Sequence, residues 1–163
     1  MSESPDRTRI RERLTALGIE LPTLGAPRYA YEATTRWGEL LFVSGQISRT
    51  GSGEILRGRL GEDATVEEGV RAARTAALNL LSRVEEAIGL ERARVLKLNA
   101  WAASAPDFVD QPTVVDGASG LLIEVLGDAG RHARTALPTQ VLPQGALVEL
   151  DATVAILPAA GSR

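Results

Sequence analysis

This sequence has no cysteine, one histidine (His132), one lysine (Lys97), and two each of tryptophan, tyrosine and phenylalanine. Without cysteine there can be no disulfide, no thiolate metal ligand and no cysteine nucleophile. That fits a reducing compartment, and a cytoplasmic location is expected. A lone histidine excludes a histidine-rich metal site, so no metal is expected. There is no basic excess either: the net charge is −3 and the pI is near 5.3. Nucleic-acid binding rests on neutralising phosphates, and an acidic chain without a basic tract suits it poorly. The start, MSESPDRTRIRERLTALG, lacks the apolar core of a signal peptide. No uninterrupted apolar run is long enough to cross a bilayer. The partner expected from these absences is a small molecule, with no nucleic acid and no membrane.

The chain's 163 residues point to one domain able to bury its own core. The expected division is an N-terminal helix and loop over 1–27, a single domain over 28–157, and a disordered tail over 158–163. Ser4-Pro5 reads as a helix start, followed by Ile10, Leu14 and Leu17 at helical spacing and Gly18 as a stop. The stretches 28–34 and 39–47 read as two strands about an Arg36-Trp37-Gly38 turn. In the second, Leu41 and Val43 share one face, and Leu40, Phe42, Ser44 and Gln46 the other. The glycine-rich stretch 49–61 reads as a surface loop.

The strongest helix is predicted over 65–88. Thr65 and Glu68 form a capping box, and Val66, Val70, Ala73, Ala77, Leu80, Leu81, Val84 and Ile88 make an apolar stripe. Gly89 ends it. A strand over 94–103 sets Leu96, Leu98, Ala100 and Ala102 against Lys97, Asn99 and Trp101. A second helix begins at Pro112 and buries Val114, Val115, Ala118, Leu121, Leu122 and Val125. Gly117 and Gly120 within it suggest close packing, since each glycine costs about 1 kcal/mol relative to alanine. After Arg134 and a Leu142-Pro143 turn, the last strand, 146–157, sets Val148, Leu150, Ala152, Val154 and Ile156 against Glu149, Asp151 and Thr153. The pattern is α+β: a mixed sheet with two main helices packed on one face, plus a short N-terminal helix. The other sheet face mixes Ser44, Lys97, Asn99, Trp101, Glu149 and Thr153 with apolar neighbours. Such a face is often closed by another copy, so a homo-oligomer is expected.

Four pieces in order resemble the RidA family, also called YjgF or L-PSP-like. They are Leu41-Phe42-Val43-Ser44-Gly45-Gln46; the helix end Val84-Glu85-Glu86-Ala87-Ile88-Gly89; Val95-Leu96-Lys97 leading to Asp107-Phe108; and Ala133-Arg134-Thr135 followed by Leu142-Pro143 and Val148-Glu149-Leu150-Asp151-Ala152. The stretch GASGLLIEVLGDAGRHAR is similar to a bacterial branch with an extended second helix. The resemblance implies a chorismate-mutase-like fold and a homotrimer with sites between subunits. It also implies cofactor-free hydrolysis of reactive enamines and imines, such as 2-aminoacrylate, to 2-keto acids and ammonia. It places the substrate carboxylate on Arg134 and the attacking water beside Glu149. It assigns Tyr31, Ser44, Asp116 and Thr135 to substrate binding. Asp116 stands where the family has asparagine, Thr135 where serine is usual, and Pro138 is a further departure.

The residue chemistry agrees with that assignment without demanding it. The planar fork of Arg134 suits a carboxylate, though an arginine there reads equally as an ion-pair partner. A partly desolvated Glu149 suits a general base toward water, and otherwise reads as an exposed strand acid. Tyr31 and Ser44 read equally as ligand contacts or packing. His132 reads as a helix C-terminal cap, Lys97 as a strand lysine paired to an acid, and Trp37 and Trp101 as packing or interface residues. Two other functions remain open: a pathway-specific or non-catalytic binder of small carboxylates, and, less compatible with the composition, an endoribonuclease. Chorismate mutase chemistry is suggested by fold alone.

Overall fold

The computed structural model describes residues 5–159. The helix start at Ser4 and the end of the tail lie outside them. Helix α1 (Pro5–Ala16) is followed by an irregular segment, then β1 (Thr34–Trp37) and β2 (Leu40–Ile47). Next come the long helix α2 (Val66–Ile88), β3 (Ala93–Ala103), α3 (Gln111–Leu126), β4 (Ala133–Thr139) and β5 (Val148–Ile156). The five strands form one sheet in the order β1-β2-β5-β3-β4. Only the β3–β4 pair is parallel, as its crossover through α3 requires. The helices α2 and α3 cover one face, as the apolar stripes demand.

α2 starts where its capping box places it: Thr65 Oγ1 accepts from the Glu68 amide at 3.2 Å, and Glu68 Oε2 from the Thr65 amide at 2.8 Å. Its Ala72, Ala73, Ala76 and Ala77 are fully buried, and their small side chains bring the helix close to the sheet. In α3 the six expected core residues, Val114, Val115, Ala118, Leu121, Leu122 and Val125, are all fully buried. These pack with Leu98 of β3 and Leu150 of β5 into one core. Gly117 lies against the Val70 carbonyl of α2, where a Cβ would overlap the oxygen. Gly120 has nothing within 4 Å of a built Cβ, so close packing does not explain it. α1 docks on the body through Arg13, whose Nη1 donates to the Val125 carbonyl at 3.2 Å.

Five local expectations are corrected. The first strand spans only Thr34–Trp37, not 28–34. Its pairing with β2 ends at Thr34↔Val43, next to the bulge of β2 against β5 between Val43 and Gln46. The turn is Gly38-Glu39, with Gly38 at φ +56 and Trp37 paired to Leu40. The same bulge breaks the alternation of β2: Gln46 pairs with core-facing Leu150 rather than continuing the face of Phe42. A second bulge, between Val95 and Lys97, turns Leu96 outward to 39% exposure and puts Val95 in the core instead. Finally, the stretch 49–61 is not all surface. Ile55 and Leu60 are buried, and Leu60 exchanges backbone bonds with Ala103 (2.9 Å) and Ala105 (2.8 Å) at the end of β3.

Candidate functional site

Glu149 lies on β5 between core residues Val148 and Leu150, so alternation turns it to the sheet face away from the helices. Its strand neighbours are Trp101 of β3 and Ile47 of β2. The β2 bulge brings Gly45 over it: a Cβ there would overlap Glu149 Oε1. A side chain at position 45 would therefore displace the carboxylate. Among the described residues this carboxylate has no hydrogen-bond or ion-pair partner. Burial pushes its pKa above the ordinary glutamate range, and the charge of Asp151 on the same face pushes it the same way. Asp151 itself accepts from Asn99 Nδ2 at 2.8 Å. An ionisable, partnerless and half-dried carboxylate is suited to taking a proton from water near neutral pH.

Ser44, at the same bulge, donates through Oγ to the Glu32 carbonyl at 2.6 Å, and its amide donates to the Ala33 carbonyl at 3.0 Å. It pins the bend that carries Tyr31, which is 50% exposed. Ser44→Ala is expected to loosen this bend, read as faster proteolytic cleavage near Tyr29–Glu32 with the global melting temperature nearly unchanged. Equal cleavage rates would show that the anchor is redundant. Thr135 faces the same side of the sheet as Glu149 and accepts at Oγ1 from Lys97 Nζ at 2.7 Å. Lys97 thus pairs with a hydroxyl, correcting the expectation of an acid.

Arg134 is placed differently. It pairs in register with core-facing Leu98, so it points to the helix side of edge strand β4. There Nη1 donates to Asp116 Oδ1 at 2.7 Å and to Ser119 Oγ at 3.1 Å, and Nη2 donates to the Pro112 carbonyl at 3.2 Å. Ser119 Oγ also lies 3.0 Å from His132 Nε2, and His132 Nδ1 lies 2.6 Å from the Gly130 carbonyl. A carbonyl only accepts, so the proton sits on Nδ1 and Nε2 accepts from the Ser119 hydroxyl. Burial lowers the His132 pKa, the Gly130 bond works against this, and the Arg134 charge lowers it further. The ring is therefore neutral at pH 7 and serves as a rigid prop, close to the capping role expected of it. Pro138 sits on the same edge strand, where no interior ladder bond is lost to it.

Within the chain, then, Arg134 and Glu149 face opposite sides of the sheet. The first stands with Asp116 at the junction of α3 and β4, and the second on the side away from the helices, which Ser44 and Thr135 share; Tyr31 lies on the exposed bend beside Ser44. Two positioning residues escaped the sequence reading. Gly45 could have been found, because glycine inside a strand often marks a close approach. Ser119 could have been found as the residue three after Asp116 on the same helical face.

A mixed five-stranded sheet with two helices on one face is a fold with known relatives. A family model described as "YjgF/chorismate mutase-like, putative endoribonuclease" matches residues 11–154. The chain belongs to that family. It is 44% identical over 149 residues to Protein TCP17 of Trypanosoma cruzi, covering 90% of this chain and 93% of that protein. Among solved structures it resembles Atu1372 of Agrobacterium tumefaciens, a protein with unknown function, at 42% identity and a TM-score of 0.84, covering 93% of this chain and 96% of that one. It also resembles a protein of Shewanella oneidensis named as a "putative endoribonuclease", at 35% identity and a TM-score of 0.86, covering 90% and 99%.

Proposed function

We propose that this protein hydrolyses small reactive enamines and imines of the 2-aminoacrylate type to 2-keto acids and ammonia. The observation that carries the reading is Glu149: a partnerless, partly desolvated carboxylate held in a gap that only glycine at position 45 leaves open. An enamine first tautomerises to its imine, gaining a proton at the terminal carbon and losing one from nitrogen; water then loses a proton to Glu149 as its oxygen bonds to the C=N carbon, and the nitrogen takes up a proton. In the resulting carbinolamine the nitrogen is protonated again, the C–N bond breaks, and the hydroxyl proton leaves as the carbonyl forms. The products are a 2-keto acid and ammonia, and the step draws only on water and side chains. Arg134 holds the substrate carboxylate, which removes orientational freedom from the reaction. Because Arg134 and Glu149 face opposite sides of one sheet, a site using both takes one residue from each of two subunits. The homotrimer implied by the family resemblance would supply that arrangement.

The test is ammonia release from freshly generated 2-aminoacrylate. Wild type is expected to exceed the uncatalysed rate, and Arg134→Ala to fall back to it. Wild-type release no faster than the blank would remove this substrate from consideration. A second reading, a binder of small carboxylates without turnover, is favoured by one observation: Asp116 already occupies the Arg134 guanidinium. A melting shift with a small carboxylic acid, abolished by Arg134→Ala and unaccompanied by turnover of any imine, would select it.

A further inference from the structure

The Arg134–Asp116 pair changes what the surface at the junction of α3 and β4 can recognise. A bare guanidinium would attract any small carboxylate. Here three of its five N–H groups are taken, by Asp116, Ser119 and the Pro112 carbonyl. The Nε hydrogen and one Nη2 hydrogen remain for a ligand. The pair has no net charge, and the neighbouring imidazole is neutral, so a simple monoanion meets little attraction and must share Arg134 with a second carboxylate. Asp116 is only half committed: Oδ1 holds Arg134, while Oδ2 has no partner among the described residues and the side chain is 73% exposed. Arg134 is not free to swing away, because Ser119 and the Pro112 carbonyl hold it from two further directions and its side chain is only 23% exposed.

We infer that this site recognises a zwitterion, a carboxylate adjacent to a protonated nitrogen, through Arg134 and Asp116 together. The ligand carboxylate takes the two remaining Arg134 donors, and the nitrogen donates to Asp116 Oδ2. α-Amino acids and the iminium forms of 2-imino acids carry that pair of groups, whereas 2-keto acids and plain carboxylates lack the cation. Asp116 is then a specificity-determining residue that favours the nitrogen-bearing ligand over the keto acid. The inference rests on the reading of Arg134 as the group that meets the ligand's carboxylate, and it needs no turnover.

The experiment is calorimetric titration of the full-length protein with L-2-aminobutyrate, butyrate and 2-oxobutyrate, comparing wild type with Asp116→Asn and Arg134→Ala. Wild type is expected to bind the amino acid about tenfold or more tightly than either monoanion, the scale of one charge-assisted hydrogen bond. Asp116→Asn is expected to invert the order, weakening L-2-aminobutyrate and strengthening both monoanions, with an unchanged melting curve because the residue is exposed. Arg134→Ala is expected to abolish binding of all three. Equal wild-type affinities, an unaltered order in Asp116→Asn, or no wild-type binding of any of the three would overturn the inference. Imine turnover is scored separately. Turnover with equal affinities would sink this inference and leave the hydrolase reading, and preference without turnover would do the reverse.

Discussion

Glu149→Gln is expected to lower imine hydrolysis by about 10²–10⁴-fold, the usual contribution of a positioned general base, and to raise the melting temperature slightly at pH 7. The two effects have one cause. Burial and the Asp151 charge make ionisation of Glu149 less favourable in the folded chain than in the unfolded one. The folded protein therefore binds this proton more tightly, and stability is lost as the pH rises from the ordinary glutamate range through the elevated folded value. At neutral pH the carboxylate is ionised at a cost that glutamine does not carry. Below the ordinary glutamate range both states are protonated, and the stability advantage of the variant should vanish. Wild-type activity should fall on the acid side with a midpoint above that of an unperturbed glutamate, because only the ionised form accepts a proton. A pH series of kcat/KM and of melting temperatures checks all of these. A variant that keeps more than a tenth of the rate, or that melts below wild type at pH 7, would show that Glu149 holds the structure rather than serving the chemistry.

Gly117→Ala should destabilise the fold by about 1–3 kcal/mol, the usual range for overpacking a core. The new methyl would overlap the Val70 carbonyl, and a backbone oxygen in the middle of α2 cannot rotate aside. Relief requires α3 to move off α2, which opens gaps around Val114, Val115 and Ala118, all fully buried. Gly120→Ala provides the control in the same helix. It meets nothing within 4 Å, so alanine's better helix propensity should make it neutral or stabilising by about 0.5–1 kcal/mol. Urea unfolding of both variants separates the effects. A loss below about 1 kcal/mol for Gly117→Ala would mean that the two helices separate easily here.

What the sequence by itself determined follows from periodicity and end signals. The capping box at Thr65 and Glu68, the stripe of α2, the six core residues of α3 and the strict alternation of β5 all appear in the structure where local spacing put them. Those features depend on a residue's own neighbours in the chain, and a pattern of period 3.6 or 2 records them directly. Gly117 and Gly120 look alike in sequence, and only their surroundings separate a tight helix contact from open space. The bulges in β2 and β3 were equally hidden, because an inserted residue reveals itself only against the partner strand. They turned Leu96 outward and set Gly45 over Glu149. The pairing of Asp116 with Arg134 links residues 18 positions apart, and the placement of Arg134 and Glu149 on opposite sides of the sheet depends on strand register. Residue types therefore indicated which groups are chemically able. Only the tertiary structure decided which of them meet, because the faces of a sheet are assigned by pairing between strands distant in sequence.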